Sequence, residues 1–303
     1  IIRSAPKLRL KEIPSAYYDS AIMQFYLKSG NVASVQTKRG CTHKCLYCSY
    51  PILEGPDIRI REAQAVVDDI QNLIANFGAK YIFFTDSVFN DDAGNYLGVL
   101  EEMKKRKINI PWTAFFKPQG LDDSALALMQ ETGLAAAEIG ADASSDTTLK
   151  KLGKSFLFKD VVECNALFAK YNIATAHYFM FGCPGETENT VIEGVSNIKS
   201  LPKTASFIFM GIRILPGTPL AGVSPVVAAG RGLRSSLNGN VWPPWEKSPL
   251  IVLASEASLP ANFGSPGMPG IAKETAVSFT TTSPSLKPRR PCACSKNLPI
   301  SDF

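Results

Sequence analysis

Between about residues 31 and 220 two rhythms of apolar and polar positions alternate along the chain. Over 61–77 apolar residues recur at Ala65, Ile70, Leu73 and Ile74 with charges between them, the period of a helix with one buried face. Over 80–85 the run Lys-Tyr-Ile-Phe-Phe-Thr is short and largely apolar, as in a buried strand. The same reading predicts further strands at 33–38, 109–116, 134–140, 173–181 and 205–215. It predicts helices at 91–106, 122–131 (closed by Gly133), 147–152, 158–171 and 186–200. Six strand–helix repeats imply an α/β fold with parallel pairing through right-handed crossovers. Such a set makes either a doubly wound open sheet or an incomplete barrel. In both, ligands belong at the C-terminal ends of the strands.

The pattern stops near Gly222. Roughly a third of the residues beyond it are Gly, Pro or Ser, where Gly plus Pro usually make about 12%. We therefore expect three regions: a connector over 1–30, a catalytic domain over 31–221, and a tail of little order over 222–303. A short strand at 250–254 is the expected exception in the tail. In the connector, Tyr17, Tyr18, Phe25 and Tyr26 are expected to pack against the core.

With 45% hydrophobic residues and a net charge of +5 over 303 residues, the chain is neither disordered, collagenous nor a coiled coil. So mild a charge points to no specific nucleic-acid partner. No apolar run reaches the ~18 residues of a transmembrane helix, and no signal-peptide pattern is present. The chain begins Ile1-Ile2-Arg3 without Met, as a fragment or processed product would.

The seven cysteines change the picture most. Seven is odd, and three of them, Cys41, Cys45 and Cys48, fall within eight residues. A disulfide framework uses an even set spread over a small secreted domain, so metal binding in a reducing cytoplasm is the better reading. Cys41-Thr-His-Lys-Cys45-Leu-Tyr-Cys48 is C-x3-C-x2-C, directly after the first strand. Three thiolates on one loop can ligate three irons of a [4Fe–4S] cluster and leave the fourth open to a small molecule. Zinc is the rival, but a structural zinc site wants four closed ligands. No second pair lies nearby, and His43 sits inside the loop in no familiar zinc spacing. Cys164 and Cys183 read as core residues, and His177 as a core histidine.

With Tyr47 as the aromatic of C-x3-C-x-aromatic-C, the chain resembles the radical S-adenosylmethionine (radical SAM) superfamily over about residues 31–220. The resemblance implies a partial (β/α)6 barrel. It implies a [4Fe–4S] cluster on Cys41, Cys45 and Cys48, with SAM chelating the open iron through its amine and carboxylate. Reductive cleavage of SAM would then yield methionine and a 5′-deoxyadenosyl radical that abstracts hydrogen from a substrate. Other positions follow residue by residue. Asp86 and Ser87, after the second strand, stand where the family binds the methionine ammonium; a cap or turn role is the alternative for Asp86. Asp142, after the fourth strand, stands where the family meets ribose and carboxylate. Lys154, of Lys150, Lys151 and Lys154, is the candidate partner for the SAM carboxylate. Gly182 lies in Phe179-Met-Phe-Gly-Cys-Pro-Gly185, which resembles the adenine-binding strand and loop. Glu186, just after it, reads instead as an acidic residue opening a helix. Arg213, in the last strand, needs an anionic partner, cofactor or substrate.

Arg59-Ile-Arg61, Asp86-Ser-Val-Phe89-Asn90, Gly140-Ala-Asp142-Ala and Ile212-Arg-Ile-Leu-Pro-Gly-Thr-Pro-Leu220 are similar to the branch that carries an N-terminal cobalamin-binding domain. Some members of that branch serve lipid biosynthesis, and they typically methylate carbon or rearrange carbon skeletons. Thirty residues before the cluster strand are too few for such a domain, which needs ~100. Cobalamin is thus implied by resemblance alone. The implied partners are a small or lipid-like substrate and a reductant such as a flavodoxin or ferredoxin. A tRNA- or protein-modifying enzyme such as a methylthiotransferase, or a non-catalytic metal-binding fragment, stays open.

Overall fold

The Asp19 carboxylate accepts the N–H groups of Ala21 and Ile22, both at 3.0 Å. It thereby caps helix α1 (Ser20–Gly30). These coordinates are a computed structural model that describes residues 13–223 and the backbone of three short strands beyond them. Helix α1 puts Met23 and Leu27 against the core and leaves Phe25 and Tyr26 exposed, as is Tyr17 ahead of it. Only Tyr18, of the four aromatics expected to pack here, does so, 6.4 Å from the ring of Phe77. Helical spacing is the reason, since residues four apart share a face and Phe25 and Tyr26 fall on the other side.

The elements that follow are β1 (Val32–Val35), β2 (Lys38–Arg39), α2 (Tyr50–Glu54), β3 (Arg59–Ile60), α3 (Ala63–Phe77) and β4 (Tyr81–Phe84). Then come α4 (Asn95–Lys105), β5 (Trp112–Phe116), α5 (Asp123–Glu131), β6 (Leu134–Asp142), α6 (Asp146–Lys151) and α7 (Phe158–Lys170). After them come β7 (Ala174–Phe181), α8 (Glu188–Lys199), β8 (Thr204–Met210) and α9 (Pro219–Val223). Beyond these lie the paired β9 (Ser236–Leu237) and β10 (Asn240–Val241), and β11 (Leu250–Ala254). The strand expected at 250–254 is present and pairs antiparallel with β8. The rest of the tail, Cys292 and Cys294 included, lies outside the described residues.

The main sheet runs β1-β4-β5-β6-β7-β8-β11. Its first six strands are parallel and stand in chain order. A doubly wound sheet reverses direction at a switch point. Here every crossover steps one strand the same way, so right-handed connections place the helices on one face and the twist curls the other face inward. That is the partial (β/α)6 barrel. The helix side is packed with aromatics: Phe84 lies 4.9 Å from Phe89 and 5.3 Å from Trp112. A second cluster gathers Phe158, Phe179, Phe181 and Ile198. No helix of the described residues is long and apolar enough to cross a membrane.

His177 is a core histidine, as expected. It is fully buried on β7, and its Nε2 donates to Asn165 Oδ1 at 3.0 Å. Its Nδ1 has no hydrogen-bond partner among the described residues. Burial pushes its pKa down to about 3. The unfolded chain takes up this proton near pH 6.5 and the folded chain does not, so the stability is full above pH 6.5 and falls as the pH drops. By pH 5 the loss should be about 2 kcal/mol. Urea unfolding of His177→Gln from pH 8 to 5 should show a shallower decline than the parent, and equal declines would refute this account.

Candidate active site

The cysteine loop leaves the C-terminal end of the β1 segment and is pinned at several points. Below it, β2 pairs antiparallel with β3, Lys38 opposite Ile60 and Arg39 opposite Arg59. The Cys41 N–H donates to Gly55 O at 3.2 Å, and the Leu46 N–H to Leu152 O at 2.9 Å. The Leu220 N–H donates to Leu46 O at 2.9 Å, so the chain after β8 also closes on the loop. Gly153 sits at φ +75° against the loop, where an added Cβ would lie 2.7 Å from Lys44 O. Only glycine meets both conditions.

All three thiols are free; Cys41 is buried, and Cys45 and Cys48 are half-buried. Cys48 Sγ accepts the Tyr50 N–H at 3.4 Å. Burial pushes the Cys45 and Cys48 thiols up, and the neighbouring thiols push the same way, while Lys154 opposes them. Among the described residues no three His, Cys, Asp or Glu side chains converge to hold a single metal ion. Thiolates that each serve a different iron are the usual ligands of an iron–sulfur cluster. The donor set therefore fits a [4Fe–4S] cluster: three sulfurs on one braced loop, none tied up in a disulfide.

Tyr47, Asp142 and Lys154 come together beside this loop. The Tyr47 hydroxyl donates to Asp142 Oδ2 at 2.5 Å, and Lys154 pairs with the same oxygen. Lys154 Nζ also donates to Gly140 O at 3.2 Å and lies 5.6 Å from the ring centres of Tyr47 and Phe156. Burial alone would lower the pKa of Lys154, but Asp142 together with Cys45 and Cys48 offsets it and the net shift is upward. Burial and Asp142 push the Tyr47 hydroxyl up. Asp142 ends β6 in the left-handed region, at φ +66°. Of the three candidate lysines, Lys150 and Lys151 are exposed and only Lys154 turns inward. Sequence reasoning proposed Tyr47, Asp142 and Lys154 separately; their coupling joins residues 95 apart and is visible only in three dimensions.

Gly182 turns the chain at φ +90° after β7. Its N–H and that of Cys183 both point to the Glu186 carboxylate, the latter at 3.1 Å. Glu186 thus ties down the loop after β7, and helix α8 is capped by Thr187 instead. Cys183 and Cys164 are buried, as expected. Asp86 does work that the sequence did not suggest. One oxygen accepts the Thr37 N–H at 2.8 Å, the other accepts the Thr37 hydroxyl, and Lys38 Nζ lies 3.4 Å away. It is neither a cap nor a free acceptor but a buried clasp between β1 and β4. Ser87 Oγ donates to Gly40 O at 3.2 Å, bracing the loop's first residue. A cavity of about 200 Å³ lies here, lined by Cys41, His43, Ser87, Asp92 and Lys117. Arg213 is not in a strand, since β8 ends at Met210. Gly211, at φ +98°, turns the chain, and Arg213 stands exposed beyond it.

The family model of the radical SAM superfamily matches residues 35–196, over half of the chain. The chain belongs to the radical SAM superfamily. A tryptophan 2-C-methyltransferase of Streptomyces laurentii is 28% identical over 210 residues, covering 65% of this chain and 35% of its own length. A tRNA-2-methylthio-N(6)-dimethylallyladenosine synthase of a Sulfurihydrogenibium species is 27% identical over 218 residues, 68% of this chain and 48% of its own. Among solved structures, the radical SAM methyltransferase TsrM of Kitasatospora setae, with tryptophan and a SAM analogue bound, superposes with a TM-score of 0.61. Its identity is 28%, over 65% of this chain and 39% of TsrM. The TsrM structure with cobalamin and a [4Fe–4S] cluster bound also gives 0.61, at 27% identity over 66% of this chain and 40% of that one. This radical SAM chain spans less than half the length of these relatives.

Proposed function

We propose that this chain is the core of a radical SAM enzyme that methylates or rearranges the carbon skeleton of a small molecule. One observation carries the reading: three free thiols on a braced loop at the C-terminal rim of six parallel strands in chain order. Cys41, Cys45 and Cys48 would hold the cluster. When bound, the cluster supplies the electron that cleaves SAM and so the radical that attacks substrate. Lys154, held in place by Asp142 and Tyr47, would meet the SAM carboxylate, and Asp142 the ribose. Gly182 offers a close backbone approach to the adenine. Cobalamin, which TsrM binds, belongs to the reading as a cofactor without an assigned residue here. A lipid-like substrate, a flavodoxin- or ferredoxin-type reductant and a reducing cytoplasm complete it.

Anaerobic reconstitution with iron and sulfide should give broad cluster absorption near about 400 nm. Dithionite and SAM should then yield 5′-deoxyadenosine, and failure to take up iron overturns the proposal. The methylthiotransferase reading has the tRNA-modifying relative in its favour.

A further inference from the structure

The two faces of the sheet are not equally filled. Phe84, Trp112 and Phe116 point into the helix-side core. Their chain neighbours Phe83 and Phe115 point the other way, because side chains alternate along a strand. These two meet across β4 and β5 with ring centres 5.3 Å apart, and neither joins a buried cluster. On the same concave face, Tyr178 of β7 stacks on Phe207 of β8 at 5.2 Å and 15°. Phe83, Phe115 and Tyr178 are half-buried, and Phe209 is 38% exposed. The nearby inward positions Ala136, Gly140, Ala176 and Ala205 are small and leave room.

Between the two ring pairs stands Glu138 of β6, in register with Phe115 on one side and Ala176 on the other. It is only 8% exposed. Its Oε2 accepts the Tyr178 hydroxyl at 2.9 Å, and its Oε1 has no hydrogen-bond partner among the described residues. Nor is Oε1 sealed from solvent, since the buried unpartnered polar atoms are Arg61 Nε, Asp91 Oδ2 and His177 Nδ1. Burial holds this carboxyl above its ordinary range, against the Tyr178 hydroxyl. A half-used acid among aromatic rings is a cost to folding that an apolar residue would avoid. It is well made for a ligand, because flat aromatic walls favour a flat guest and one open acceptor asks for one donor.

We propose that Glu138 sets the substrate class on the concave face: its free Oε1 selects a planar, largely apolar ring compound by accepting that compound's single N–H or O–H. Phe115 and Tyr178 are the walls. This rests on the radical SAM reading above and narrows its substrate class. Indole and 1-methylindole, which differ only in the donor, are the probes, titrated calorimetrically into the cluster-reconstituted full chain. Indole should bind about tenfold more tightly than 1-methylindole. Glu138→Ala should bind the two equally, and Glu138→Leu serves the same purpose if the Ala variant fails to fold. Equal binding of both probes by the parent chain, a preference that survives in both variants, or displacement of indole by SAM overturns the inference. Displacement would show that the acid serves the cofactor's own ring and ribose. Iron content and 5′-deoxyadenosine formation, measured in the same preparations, report on the family chemistry separately from this subsite.

Discussion

Cys45→Ala should leave the reconstituted chain nearly colourless, with its bound iron falling from about four atoms toward zero, because a cluster held by three thiolates does not survive on two. Cys41→Ala and Cys48→Ala should do the same, and 5′-deoxyadenosine formation should drop below detection in all three. Among the described residues no spare cysteine is placed to substitute. Cys164 is buried within α7, and Cys183 is buried with its Sγ 3.3 Å from Met180 O. Folding should persist, since the loop is held by backbone bonds from Gly55, Leu152 and Leu220 that need no sulfur. Iron and colour retained in any one variant would end the assignment.

Lys154→Met should destabilise the fold markedly. It leaves the Asp142 carboxylate beside Tyr47 without its cation, in a site where the lysine side chain is 7% exposed. Breaking such a pair from one side costs about 2–4 kcal/mol. Asp142→Asn tests the other side. Asn tolerates φ +66°, so its cost reports the stranded lysine rather than backbone strain. The double variant should be more stable than the sum of the single losses predicts, since it strands no charge. Urea unfolding of the four proteins measures this, and simple additivity would show that the pair is not coupled.

The parts of this protein that could be read along the chain are those decided by neighbours in sequence. The helical period of 61–77, the apolar run at 80–85 and the Gly133 stop each depend on a few adjacent residues, and each element is present. The C-x3-C-x2-C loop is local in the same sense, and its position after the first strand placed it at the sheet's ligand-binding rim. Where several elements had to agree, the reading was open or incomplete. A last strand running to residue 215 was plausible from its apolar residues, but Gly211 and the turn before α9 end it at Met210. Four aromatics near the N-terminus all look able to pack, but only Tyr18, just ahead of the α1 cap, does so, against Phe77.

Taken alone, the sequence determined the β/α alternation, the superfamily signature and the thiol donors, because hydrophobic period and motif spacing are short-range properties of the chain. The periodicity alone left an open sheet and a partial barrel both possible; the superfamily resemblance implied the barrel, and the strand order, set by pairing between segments far apart, bears it out. The same long-range pairing made Asp86 a clasp, coupled Tyr47 to Asp142 and Lys154, and set Glu138 between two pairs of rings. Contacts between residues a dozen or more positions apart leave no periodicity to read; they exist only once the strands have closed side by side.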